Sequence, residues 1–229
     1  MPNNKPAIIL TSINAINGFI FSAEISNIKS NKQANNMSSI NEVSYDIKIK
    51  ANSMSKQENK AIIIMGVSGV GKTTIGKLLA EATGLSFYDG DDYHSSANVA
   101  KMSAGKALTD IDRQEWLEKL HELLQTQLTR QGCILACSAL KEKYREVLAS
   151  NLANVNFVYL KVSYQEVLKR LEERKGHYMK ADLLQSQFDI LEEPTNALTI
   201  SIQLSMQEIV ATIVKHFSLS TQFKKSNRY

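Results

Sequence analysis

The sequence predicts an α/β fold in three layers, with helices on both faces of a five-stranded parallel sheet and a helical lid insertion late in the chain. Three observations predict it. From Ala61 onward, short apolar runs alternate with amphipathic helical stretches, the pattern that builds a parallel sheet covered on both sides. A glycine-rich loop joins the first apolar run to the first helix. Finally, 229 residues with 43% hydrophobic and 22% charged content suffice for one substantial core.

The elements follow in order. AIIIM, residues 61 to 65, reads as the first strand. After the glycine loop, TTIGKLLAEATG places Ile75, Leu78, Leu79 and Ala82 on one helical face, with Gly84 as the stop. SFYD, residues 86 to 89, is the second strand, and a charged loop follows it. RQEWLEKLHELLQTQL repeats Trp and Leu at helical spacing and ends before Gly132. CILAC (133 to 137) and NFVYLKV (156 to 162) are the third and fourth strands, separated by the helix KEKYREVLAS. The insertion from Tyr164 to Pro194 reads as two helices joined at Arg174 to Lys180, a joint where a mobile lid would sit. LTISIQL (198 to 204) is the last strand, and the helix MQEIVATIVKHF closes the fold.

Residues 1 to 58 differ in kind, being rich in Asn, Ser and Lys without a sustained apolar period, and read as a disordered extension. The stretch Ala7 to Ala23 has some character of a signal-peptide core, but Asn14 and Asn17 interrupt it and no A-x-A-like site follows. Met54 opens a short polar lead into the first strand, and the functional chain is expected to begin there. The folded domain is expected over 59 to 217, with a basic tail over 218 to 229. The net charge of +4 sits in the two ends rather than in the central segment. No basic stripe gathers nucleic-acid phosphates, so no nucleic-acid partner is expected. No apolar run approaches the length of a membrane span. Cys133 and Cys137 lie too far apart along one strand to bridge. They fit small buried hydrophobes in a reduced, cytoplasmic protein.

Gly66-Val67-Ser68-Gly69-Val70-Gly71-Lys72-Thr73 satisfies G-x-x-x-x-G-K-[ST] between a strand and a helix, which is the P-loop context. Glycines let the backbone turn its N–H groups toward phosphate oxygens, and the helix N-terminus adds its positive end. Lys72 supplies charge to the β and γ phosphates, Thr73 offers a hydroxyl to Mg²⁺, and Thr74 continues the nucleotide-binding run. The cofactors expected are therefore ATP and Mg²⁺. No N-K-x-D base reader is present, and CILAC runs into Ser138-Ala139-Leu140 rather than an Asp. Those absences leave a small kinase or a nucleotide-dependent binding protein.

Asp89-Gly90-Asp91-Asp92-Tyr93-His94 follows the second strand, on the sheet edge where open α/β folds bind ligands. A carboxylate there can orient or deprotonate an acceptor hydroxyl in line with the γ-phosphate, and Asp91 is the candidate. Further along, DGDDYH, KMSAGKALTDIDRQEWL, CSALKEKYR, RLEERKGHYM and QFDILEEP stand in order with compatible spacing. In these segments the chain resembles the gluconokinase family, over roughly Ala61 to Phe217. The resemblance implies ATP-dependent phosphorylation of D-gluconate to 6-phospho-D-gluconate, on a P-loop kinase fold related to shikimate and adenylate kinases. It also implies a small-molecule partner and a possible homodimer. On the same footing, Asp91 would hold and activate the acceptor hydroxyl, and Asp89 would help place Mg²⁺ through water. Arg113, Lys141 and Arg145 would bind carboxylate and hydroxyl groups, with Ser138 beside them. His94 and His177 would contact hydroxyls. Arg174 would meet the charge that develops on the transferring phosphoryl, as a catalytic partner of Lys72 and Asp91.

Other readings of the same residues stay open at this stage. Lys141 and Arg145 also fit a solvated helix face, and His177 a lid surface. Trp116, spaced with leucines, fits core better than a substrate platform. Arg170 and Arg174 could pair with Glu166 and Glu173. The family's acidic stretch before the last strand is missing from TNALTISIQLSMQEI, so nucleotide preference is the least secure implication. Shikimate kinase shares a D-x-D after the second strand but would carry a glycine triplet where Ser138-Ala139-Leu140 stands. A nucleotide-sensing binding protein is the non-enzymatic alternative.

Overall fold

Strand β1, Ala61–Met65, is the centre of the sheet, and every one of its residues is buried. The computed structural model describes residues 58–173 and 181–222. Around β1 lie β2 (Ser86–Asp89), β3 (Cys133–Ala136), β4 (Val155–Lys161) and β5 (Leu198–Ser201). Their order is β2-β3-β1-β4-β5, with every pairing parallel. In register, Ala61 faces Cys133 on one side and Val155 on the other.

Alternation along β1 divides the core into two layers, because successive side chains leave a strand on opposite faces. Ile62 and Ile64 pack with Ile75 and Leu79 of α1 (Lys72–Thr83) and with Val167 of α5 (Tyr164–Glu173). Leu184 of α6 (Ala181–Asp189) and Ile209 and Ile213 of α7 (Met206–His216) complete that face. Ala61, Ile63 and Met65 pack on the other face against Trp116, Leu120 and Leu124 of α3 (Asp110–Leu128) and Leu148 of α4 (Glu142–Ala149). Burying each Ile, Leu, Val or Met side chain among these contributes about 1.5–3 kcal/mol. A strand held this way on both faces and both edges is a rigid base for whatever leaves its end.

The five strands and the helix stop at Gly84, the left-handed C-cap of α1, match the sequence expectation. The loop expected after β2 differs. It forms a 3₁₀ turn over Gly90–Tyr93, started by Asp89 accepting from the Asp91 N–H, and then α2 (Ser96–Ser103), whose N-cap is Ser95. Capping by short side chains, rather than an apolar stripe, builds both. Helix α3 begins at Asp110, ahead of Arg113, because Thr109 and Asp112 form a reciprocal capping box. Strand β5 stops at Ser201, whose hydroxyl accepts from the Gln203 N–H and turns the chain. Cys133 and Cys137 are free and buried, and burial pushes both thiols up to about 12.

Candidate active site

β1 delivers the chain directly into the loop Gly66 to Gly71, and α1 begins at Lys72. Gly66 and Gly71 hold φ of 139° and 106°, which a Cβ would oppose. The turn aims the start of α1 back at the loop, the arrangement that gathers anions. Lys72 Nζ donates to the Val67 carbonyl at 3.0 Å, folding the ammonium over the loop. Desolvation lowers its pKa, opposed in part by Asp91, Cys137 and Asp89. A polyanion in the cradle would restore the charge that burial disfavours.

Asp89, at the end of β2, accepts from the Thr73 hydroxyl at 2.7 Å through one carboxylate oxygen and from the Asp91 N–H at 3.2 Å through the other. This is a pair of hard oxygen donors beside the phosphate loop. Among the described residues no group of three or more His, Cys, Asp or Glu converges as a metal cage. A hydroxyl plus one carboxylate suits Mg²⁺, which keeps waters and takes phosphate oxygens for the rest of its shell.

A cavity of about 490 Å³ opens beside the loop, lined by Ser68, Lys72, Asp91, His94, Arg113, Trp116, Ser138, Lys141 and Gln187, among others. The sheet brings these together from the ends of β1, β2 and β3 and from α3 and α6. His94 stacks on Trp116 with ring centroids 4.4 Å apart, and its Nδ1 has no partner among the described residues. Burial lowers the His94 pKa, which favours the neutral ring. Trp116 Nε1 donates to the Gly90 carbonyl at 2.7 Å, which fixes the turn carrying Asp91. Trp116 is thus both core, at 2% exposure, and a wall of the cavity.

Arg113 donates to the Leu108 carbonyl and lies over the Tyr144 ring, 5.6 Å from its centroid. Lys141 Nζ lies 2.9 Å from Asp110 Oδ1. Asp110 also accepts from Lys143 at 2.5 Å and from the Tyr144 hydroxyl. Hydrogen bonds from Lys143, Tyr144 and Lys141 hold its carboxyl well below the usual carboxylate range. The sequence reading gave Asp110 and Tyr144 no role, and their only signal was membership of the two quoted segments.

Arg145 is not part of the cavity wall. It is 4% exposed and donates to the carbonyls of Ala139 at 2.9 Å and Leu140 at 3.1 Å, and to Glu142. Ala139 has φ 44° in the turn after β3, and Arg145 supplies a donor to its carbonyl, while the Leu140 carbonyl also accepts from the Glu192 N–H. Arg145 is therefore spent on the loop that carries Ser138 and Lys141, rather than on a ligand, and the solvated-face reading fails too. Arg174 and His177 lie outside the described residues.

A second cavity, about 430 Å³, shares no lining residue with the first and is lined by Val70, Gly71, Thr74, Arg170, Leu204 and Met206, among others. Arg170 donates to the Ile202 carbonyl at 3.2 Å, while Glu166 bonds Ser163 and Gln203. The glycine loop thus contributes to two chambers of different lining, with Thr74 in one and Lys72 and Asp91 in the other.

The shikimate kinase family pattern matches residues 68–216. A probable gluconokinase of Mus musculus is 41% identical over 175 residues, covering 67% of this chain and 95% of that protein. The gluconokinase of Gluconobacter oxydans is 41% identical over 160 residues, covering 68% and 90%. Among solved structures, a gluconokinase from Sinorhizobium meliloti 1021 superposes with a TM-score of 0.65 at 36% identity, covering 70% of this chain and 93% of that one. An APS kinase of Mycobacterium tuberculosis, at 18% identity and TM-score 0.55, shares the fold alone.

Proposed function

This chain belongs to the gluconokinase family of P-loop kinases, and from that premise we propose that it transfers the γ-phosphoryl of ATP to D-gluconate, giving 6-phospho-D-gluconate. The observation that carries the reading is the shared cavity. Lys72 of the phosphate loop and Asp91 of the β2 turn line one chamber, together with Arg113 and Lys141. A sugar acid is a linear polyol with one carboxylate, so its site needs cations and many hydrogen-bonding groups. Arg113 and Lys141 supply the cations, and Ser138 and His94 face the same space.

Mg²⁺, held through Thr73 and Asp89, would neutralise phosphate charge. The remaining work is done by this chain's own residues through position and electrostatics. Lys72 stabilises the phosphates. Asp91 orients the acceptor hydroxyl and takes its proton as the oxygen bonds to phosphorus and the bond to ADP breaks. The chamber lined by Val70, Gly71, Thr74 and Arg170 suits the nucleoside. No acidic residue is among the described residues that line that chamber, so a backbone-dominated, permissive base site is part of the proposal.

In this reading residues 59 to 217 are the kinase domain, working in the cytoplasm as a possible homodimer, and residues before Met54 are dispensable. No described helix is long and apolar enough to cross a membrane. A coupled ADP-release assay across gluconate, shikimate and related sugar acids tests the function. Turnover with gluconate is expected, and Asp91→Asn should keep ATP affinity while losing most turnover. Turnover on shikimate alone would move the fold to another substrate. No turnover on any of these acids, with ATP affinity unchanged in Asp91→Asn, would favour a nucleotide sensor.

A further inference from the structure

The segment QFDILEEP makes a set of contacts that the proposed chemistry has not used. Its first residue, Gln187 of α6, reaches the phosphate loop. Gln187 Oε1 accepts from the Ser68 N–H at 2.7 Å, and Nε2 donates to Ser68 Oγ at 2.9 Å. A carboxamide can do both at once, because it carries an acceptor oxygen and a donor nitrogen. Since Ser68 Oγ accepts from Gln187, its own proton is directed away from Gln187 and is free to be donated.

Where that proton goes follows from the two chambers. Ser68 lines the chamber of Lys72 and Asp91, whereas Val70 and Gly71 line the other. The hydroxyl therefore stands on the acceptor side of the loop, where a phosphoryl group in transit must pass. The residues after Gln187 anchor the same segment to the acceptor loop. The Glu192 N–H donates to the Leu140 carbonyl at 2.9 Å, and the Glu192 carboxylate accepts from the Glu142 N–H at 2.5 Å. One short stretch thus spans the phosphate loop and the turn carrying Ser138 and Lys141.

We propose that Gln187 is a positioning residue for phosphoryl transfer: it sets the Ser68 hydroxyl as a hydrogen-bond donor to the transferring phosphoryl group. The inference rests on the kinase reading of the cavity. Donors aimed at charge that develops in the transition state act on turnover more than on ground-state binding.

The test uses the full chain, with gluconate and ATP kinetics and thermal midpoints for Gln187→Met, Gln187→Glu, Ser68→Ala and the double variant Ser68→Ala with Gln187→Met. Gln187→Met is expected to lower kcat by about 10- to 1,000-fold, with KM for gluconate within about threefold of wild type. Gln187→Glu should fall at least as far, because a carboxylate draws the Ser68 proton to itself and faces the phosphates. In the Ser68→Ala background, Gln187→Met should cost little more, since the group it acts through is gone. If Gln187→Met does not fold, Gln187→Glu decides, as it keeps the size and the acceptor for the Ser68 N–H. Wild-type kcat in either folded variant, or losses that multiply in the double variant, overturns the proposal. A wild-type chain without gluconate-dependent turnover instead overturns the kinase reading beneath it.

Discussion

Arg145→Ala separates a loop staple from a substrate ligand. The guanidinium is 4% exposed and is a donor to two carbonyls, those of Ala139 and Leu140, which lie in a buried turn. Leaving the buried Ala139 carbonyl without its partner costs about 1–3 kcal/mol, whereas the Leu140 carbonyl keeps the Glu192 N–H. Glu142 is 55% exposed, so its pairing with Arg145 adds no more than about 1 kcal/mol. Water entering the vacated space would hold the total to about 2–3 kcal/mol. With a urea dependence of about 2 kcal/mol per molar, the midpoint should fall by about 1–1.5 M. Trp116, the single tryptophan, is buried and gives the fluorescence signal. Arg145→Lys should recover about half the loss, since one ammonium cannot replace a fork reaching two carbonyls. KM for gluconate should rise only modestly, through loosening of the loop that carries Ser138 and Lys141. An unchanged urea midpoint with KM raised by a hundredfold would refute the argument and return Arg145 to the substrate.

Gly132→Ala should lower stability by about 3 kcal/mol and leave kcat within about twofold. Gly132 has φ 84°, and a Cβ there would sit 2.2 Å from the Lys60 carbonyl oxygen, at the end of β3 away from the cavity. Urea unfolding and the ADP-release assay check this, and a stable variant would contradict the stated contact. The two thiols should resist alkylation in the native protein. With pKa values pushed up to about 12, only about one in ten thousand is ionised at pH 8. Thiol titration should show slow reaction in buffer and both groups in urea, and a thiol that reacts within seconds in the native state would contradict the burial.

Reading the sequence located every strand, because an apolar run such as AIIIM between breakers has few other ways to be buried. Helix α2 was missed for a physical reason: its start is fixed by Ser95 accepting from the Asn98 N–H, not by an apolar stripe. The phosphate loop was fully legible, since glycine spacing is itself the chemistry. Arg145 was assigned to a ligand because nothing in CSALKEKYR reveals that Ala139 takes a left-handed φ and turns its carbonyl inward. Nothing in the sequence gives Gln187 a role, because its partner lies 119 residues away and a glutamine on a helix carries no local signal of what it will touch. Asp110 and Tyr144 were invisible as a cluster for the same reason.

The central place of β1 has a consequence for how the protein is made. Its two hydrogen-bonded neighbours are β3, which begins at residue 133, and β4, which begins at residue 155. On a ribosome, AIIIM emerges long before either partner exists, as five consecutive apolar residues with no sheet to join. Such a segment is a target for aggregation or chaperone capture until it is paired. Contacts this distant in sequence also slow folding. The phosphate loop grows directly from that strand, so the sheet setting of the loop is complete only once β4 has been made. A nascent chain halted before residue 155 would carry the whole nucleotide motif with one edge of its strand still unpaired.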